Sequence, residues 1–382
     1  MIGRWIATLL LAASLTGAAD AARAEMKVGI TVSGSGPGAA LGQPELKAVA
    51  VLPKEIAGEK VTYIALDDES DGTKAAQNAR KLLDENVDVL IGSSLTPTSL
   101  PLIELAASSG TPLMTLAASG VLVSPMDAKK KWVFKVVPND DIMARAMLAR
   151  IAQSGVKKLG YIGVSDAYGE GYYAELAKLA PEHGITLTTH EVYGRGDASV
   201  TGQILKIIAT RPDAVFIASA GTPAVLPQKA LRDRGYKGPI YQTHGVATQE
   251  FIQLGGKDVE GATFAGEVFT VVKDLPDDSP FKKPIADFVG RYEAANGAPP
   301  AIFAAHLNDA MTLVERAVPA ALKAGKPGTP AFRSALRDAI ETTKAAYLSN
   351  GLSNMSPTDH NGYDERSAFI IKVENGQFRW VK

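Results

Sequence analysis

The sequence predicts an α/β protein built from doubly wound parallel sheets, and three observations carry that prediction. Apolar runs of strand length alternate with longer amphipathic stretches along most of the chain. Most of those runs lack polar alternation, so both faces of each strand are expected to be covered, as in parallel sheets flanked by helices. The 382 residues, at roughly 100–200 per domain, point to two domains.

Strands are expected at 27–33, 61–66, 87–92, 113–116, 133–137, 159–165, 214–219, 240–243 and 263–269. Between them, 72–86 places Ala75, Ala79, Leu82 and Leu83 on one helical stripe. The stretch 140–155 opens on Asp140 and Asp141 and stops at Gly155, which suits the helix dipole and a C-terminal cap. Helices at 171–183, 200–210 and 225–235 continue the alternation. Near Pro138 a strand, a proline and an acid-opened helix begin a second series, which lasts until about Ala265. Long helices return at 281–296, 301–324 and 330–343. Two short strands then flank Asn375-Gly376, a pair that favours a type I′ hairpin turn.

The first 24 residues differ in kind. A basic start at Arg4, an apolar run from Trp5 to Leu15 and Ala22-Arg23-Ala24 match a secretory signal cleaved near Ala24. Loss of Arg4, Asp20 and Arg23 moves the net charge from −1 to −2. The expected location is the periplasm. With 40 basic and 41 acidic residues there is no nucleic-acid footprint. The absence of cysteine excludes disulfides, thiolate metal sites and cysteine nucleophiles.

Catalytic motifs are scarce. Gly34, Gly36 and Ala39 fit a loose dinucleotide fingerprint, but Pro37 sits inside the turn and the next strand-end acids, Asp67 and Asp68, come about ten residues late. That stretch, 33–42, reads instead as a flexible loop that brings backbone close to something. There is no P-loop, H-E-x-x-H, EF-hand or nucleophile-elbow motif, and the five histidines show no ligand spacing. No cofactor, metal or enzymatic activity is expected; the composition suits ligand capture.

In doubly wound sheets a ligand sits beyond the carboxyl ends of the strands, where helices begin. After 87–92 come Ser93, Ser94, Thr96, Thr98 and Ser99, more hydroxyls than one helix cap needs and a set suited to an anion. The following junctions offer Ala117 and Ser119, then Tyr168, then Thr222, then His244. This is a cleft rich in hydrogen-bonding groups and without an obvious nucleophile.

The ordered segments "VGITVSGSGPGAALG", "VLIGSSLTPTSLPLIELAASSGTPLMTLAAS", "DAYGEG", "GPIYQTHGVATQEF" and "SPTDHNGYDE" resemble the periplasmic solute-binding proteins of branched-chain amino-acid-type ABC importers. The resemblance covers the chain beyond residue 24. It implies a type I periplasmic binding protein: two lobes joined by a three-crossover hinge, one at 26–138 with 266–345 and the other at 139–265 with 346–382. Ligand would bind between them and close the hinge. The implied partners are a small carboxylate and a membrane permease, with the receptor a monomer. Carried over by motif, Thr96, Thr98, Ala117 and Ser119 would hold the ligand carboxylate, Tyr168 would line the second lobe, and Phe303 would be an aromatic packing position.

Two positions depart from the amino-acid-binding pattern. An aromatic common in the first loop is Leu41 here. Where amino-acid receptors keep a carboxylate for the ligand ammonium, this chain has His244. A neutral imidazole offers one acceptor, and a protonated one repels, so a buried ammonium is disfavoured. An aromatic acid of hydroxybenzoate or hydroxycinnamate type is the favoured ligand. Branched-chain or other amino acids remain the alternative, as does a sensor of the same fold.

Overall fold

The computed structural model describes residues 25–382; the expected leader lies outside the described residues. The first sheet comprises β1 (Met26–Val32), β2 (Glu55–Ile56), β3 (Glu59–Asp67), β4 (Val89–Gly92), β5 (Leu113–Thr115) and β6 (Val133–Lys135), in the order β2-β3-β1-β4-β5-β6. From β3 to β6 every neighbour is parallel. The second sheet begins with β7 (Lys158–Val164), β8 (Thr186–Leu187), β9 (Glu191–Tyr193), β10 (Ala214–Ala218), β11 (Ile240–Gln242) and β12 (Thr263–Gly266). A separate hairpin, β13 (Ala346–Leu348) and β14 (Gly351–Ser353), precedes the last strands, β15 (Phe369–Glu374) and β16 (Gln377–Trp380). The second sheet runs β16-β15-β12-β11-β10-β7-β8, with β9 on β7.

The helices are α1 (Ala39–Ala48), α2 (Gly72–Asp84), α3 (Thr96–Ser109), α4 (Asp140–Gln153), α5 (Ala167–Leu179), α6 (Thr201–Ala209), α7 (Val225–Asp233), α8 (Gln249–Gly255), α9 (Val268–Val271), α10 (Lys282–Asn296), α11 (Ile302–Ala321) and α12 (Pro330–Glu341). Strands β4 and β10 are buried at every residue, which is why their sequences carry no alternation. Among the described residues no helix is long and apolar enough to cross a membrane.

Three expectations change. The glycine-rich stretch at 33–42 is not a loop throughout: α1 begins at Ala39, and Gly42 lies so close to β1 that an added Cβ would meet the Ser33 carbonyl at 2.1 Å. The close approach is to the chain's own strand end. The expected strand 263–269 stops at Gly266, and α9 follows after Glu267. The helix expected from 171 starts at Ala167, because Asp166 accepts from the Tyr168 and Gly169 amides and caps it. The C-terminal hairpin agrees with the sequence: Asn375 and Gly376 have φ of 53° and 67°, the left-handed pair of a type I′ turn.

The lobes meet where α3 packs on α5, and where the 36–38 turn packs on the 222–224 turn. The carboxyl ends of both sheets face each other across this junction.

Candidate functional site

A small cavity lies between the lobes. Its apolar walls are Leu41, Leu95, Leu116, Val137 and Phe303. Its polar lining is Ser94, Thr96, Tyr168, Arg195, His244 and His306.

The first-lobe wall is built at the start of α3. Most of its hydroxyls are engaged internally. Ser93 donates to Asp68, and Ser94 donates to Glu45 while accepting from the Ser33 amide at 2.9 Å. The Thr98 hydroxyl bonds to Ser93 at 2.7 Å and to the Leu95 carbonyl at 2.9 Å. That of Ser99 donates to the Ser93 carbonyl at 3.0 Å. Only the Thr96 Oγ1, of these five, is buried without a protein partner. Burial holds the carboxyls of Glu45 and Asp68 above their ordinary range.

After β5 the chain is extended and successive side chains alternate in direction. Leu116 and Ala118 therefore line the cavity, whereas Ala117 packs in the core against α3. Ser119 faces a separate cleft with Asn139 and Asp140. Lys135, fully buried at the end of β6, donates its ammonium to the carbonyls of Ala118 and Val137, each at 2.6 Å. It ties the strand-end loop to the chain crossing toward the second lobe.

The second-lobe wall comes from three strand ends. Tyr168 sits in the first turn of α5, and burial raises its phenol pKa. Thr243, after β11, donates its hydroxyl to the Ser219 carbonyl at 2.5 Å, which sets the following turn against β10. Gly245 completes that contact, since a Cβ there would lie 2.5 Å from the Ala220 Cβ. His244 is thereby presented to the cavity with its Nδ1 lacking a protein partner. Burial, and then Lys135, push its pKa down to about 3, so the imidazole is neutral. Thr222 opens the 222–224 turn and does not line the cavity; its neighbour Ala220 does.

From the first lobe, Phe303 and His306 stand one turn apart on α11, their rings edge to face at 5.3 Å. Burial, and then His244, hold His306 at about 3 as well. Of the residues named from sequence, Thr96, Tyr168, His244 and Phe303 thus converge, and Thr98, Ala117, Ser119 and Thr222 stand behind or beside the lining.

Arg195 and His306 were not anticipated. Arg195 follows β9, a three-residue strand that the apolar-run reading passes over, so its junction goes unread. His306 was legible as the residue one turn beyond Phe303. No group of acids and histidines capable of holding a metal occurs among the described residues.

Comparison with known proteins agrees with this architecture. Residues 25–377 match the periplasmic binding protein family. An extracellular ligand-binding receptor from Rhodopseudomonas palustris HaA2 has a crystal structure that is 71% identical, superposes with a TM-score of 0.93, and covers 94% of this chain and 100% of its own. The Leu/Ile/Val-binding protein homolog 3 of Brucella melitensis is 24% identical over 259 residues, 66% of this chain and 70% of that protein. A solute-binding protein of an R. palustris ABC transporter, crystallised with benzoate, shares the fold at a TM-score of 0.78 and 21% identity, over 94% of this chain and 95% of that one. The chain belongs to the periplasmic binding protein family, with the two-lobed type I fold of the Leu/Ile/Val-binding proteins.

Proposed function

We propose that this protein is the periplasmic receptor of an ABC importer and captures a small carboxylate, an aromatic acid of hydroxybenzoate or hydroxycinnamate type, without turning it over. Solute-binding proteins of this family bind small molecules and work with ABC permeases. The lobes of this reading are 26–138 with 266–345 and 139–265 with 346–382, with a leader ending near Ala24.

The carrying observation is a neutral His244 in a cavity whose lining, among the described residues, includes no acidic side chain. A ligand ammonium would be buried there without an ionic partner, which costs several kcal/mol. The apolar walls suit a ring instead; burying a Phe-sized group contributes about 1.5–3 kcal/mol. The fold neighbour crystallised with benzoate supports the reading at the level of the fold.

The names of the curated relatives favour a second reading, a branched-chain amino acid. A thermal-shift screen separates the two. Aromatic acids should raise the melting temperature at concentrations above Kd, and leucine or valine should not. The reverse pattern replaces the first reading by the second.

A further inference from the structure

We propose that Arg195 is the carboxylate anchor of this receptor, so that the ligand acid is held by the second lobe and not by the hydroxyl-rich start of α3. The inference rests on the reading of the cavity as a carboxylate site and assigns the atoms within it.

Arg195 lies in the turn after β9, and its side chain is only 10% exposed. Its Nε donates to Oδ2 of Asp166 at 2.6 Å. The two terminal nitrogens are buried and have no protein partner, while the residue lines the interlobe cavity. A guanidinium keeps its charge at every physiological pH, and its paired terminal nitrogens match the two oxygens of a carboxylate. Leaving such donors buried and unpaired is costly, so the site favours a ligand that supplies acceptors.

The rest of the lining makes the choice one-sided. Among the described residues around the cavity, Arg195 is the only Asp, Glu, Lys or Arg. His244 and His306 are neutral, and the Lys135 ammonium is engaged by two carbonyls. At the opposite wall the serines hydrogen-bond to the buried acids Glu45 and Asp68, leaving Thr96 as the free hydroxyl. An anion placed there would meet the Thr96 hydroxyl and the first amides of α3, with two carboxyl groups behind them. At Arg195 it meets two unpartnered guanidinium nitrogens, whose charge is only partly offset by the Asp166 carboxylate on Nε. The polar atom at the far end of the ligand, such as a ring hydroxyl, then faces the Thr96 side.

The test is calorimetric titration of the purified protein with 4-hydroxybenzoate and with 4-hydroxybenzamide, which keeps the ring and removes the charge. Wild type should prefer the acid by at least about 30-fold, as expected for a buried charge pair. Arg195→Gln should lose at least about 30-fold for the acid and bring acid and amide within about threefold of each other, whereas Thr96→Val should keep the wild-type preference. Circular dichroism checks that each variant is folded. If Arg195→Gln is unfolded, the preference of Arg195→Met, which also removes the charge, is measured instead, and a preference unchanged from wild type overturns the assignment. Loss of the acid preference in Thr96→Val with Arg195→Gln unaffected also overturns it. If wild type binds neither aromatic probe and binds L-leucine, the aromatic reading fails by itself. The anchor is then read from leucine: at least a 30-fold loss in Arg195→Gln supports it, and unchanged affinity refutes it.

Discussion

Arg195 and Tyr168 are positioned through one shared carboxylate. Oδ2 of Asp166 accepts from the Arg195 Nε at 2.6 Å, and Oδ1 accepts from the Tyr168 amide at 2.8 Å. The acid that opens α5 thereby fixes two cavity residues from different strand ends.

Replacing Asp166 separates its two roles. Asp166→Ala removes both the cap and the ion partner, and should cost about 2–4 kcal/mol. Asp166→Asn keeps a good cap acceptor and loses the charge, so it should cost less. Urea unfolding of the two variants gives the comparison; equal losses would mean that the cap carries nothing and the charge pair carries the whole effect.

His244→Glu puts an anion beside the ligand acid. Affinity for 4-hydroxybenzoate should fall by at least about tenfold, since opposed like charges cost several kcal/mol in a dry interface. Unchanged affinity by calorimetry would place His244 outside the site.

Acid sensitivity follows from the same imidazole. The folded His244 has its pKa near 3, and an unfolded His titrates near 6.5. Between those values the unfolded chain binds a proton that the folded chain does not. This contribution to stability is therefore intact above about pH 6.5 and is lost as pH falls toward 3. Glu267, raised by burial to about 8, works in the opposite sense, so the comparison must be between variants. As pH drops from 6.5 to 4.5, the melting temperature of wild type should shift downward relative to that of His244→Asn. Parallel curves would contradict the buried neutral ring.

Glu45 bears on stability. Glu45→Ala strands the buried Ser94 hydroxyl and should cost about 1–3 kcal/mol in denaturant unfolding. Glu45→Gln keeps an acceptor and sheds a carboxyl that burial already pushes toward its neutral form, so it should cost less. A loss for Gln as large as that for Ala would show that a neutral acceptor does not replace the carboxyl.

Gly245→Ala tests the packing of two strand-end loops. The new methyl would lie 2.5 Å from the Ala220 Cβ, so the loops must separate. Stability should fall by about 1–3 kcal/mol, and ligand affinity should fall with it, because His244 and Ala220 both line the cavity. Retained affinity in calorimetry would show that the loops move without carrying His244.

The fold was legible because strands such as β4 and β10 are buried on both faces and write continuous apolar runs. The strand-end rule located Thr96, Tyr168 and His244, since the rule concerns topology and topology follows the alternation of elements. It missed Arg195 because β9 is three residues long and partly exposed, which leaves no apolar run to notice. It placed Ala117 and Ser119 in the lining, where Leu116 and Ala118 stand, because side-chain direction after a strand depends on a register that one sequence does not display. The serines after β4 looked like ligand groups because their partners, Glu45 and Asp68, come from distant segments.

That wiring of serines to buried acids divides labour between the lobes. The first-lobe wall arrives assembled, its hydroxyls oriented before any ligand enters, and it offers little that depends on ligand charge. The charge and hydrogen-bonding character of the cavity is written mainly on two short turns, at Arg195 and at His244, each hung from a rigid strand end. A ligand of different charge would therefore call first for changes in those turns, while Leu41, Phe303 and His306 of the opposite lobe shape the apolar remainder.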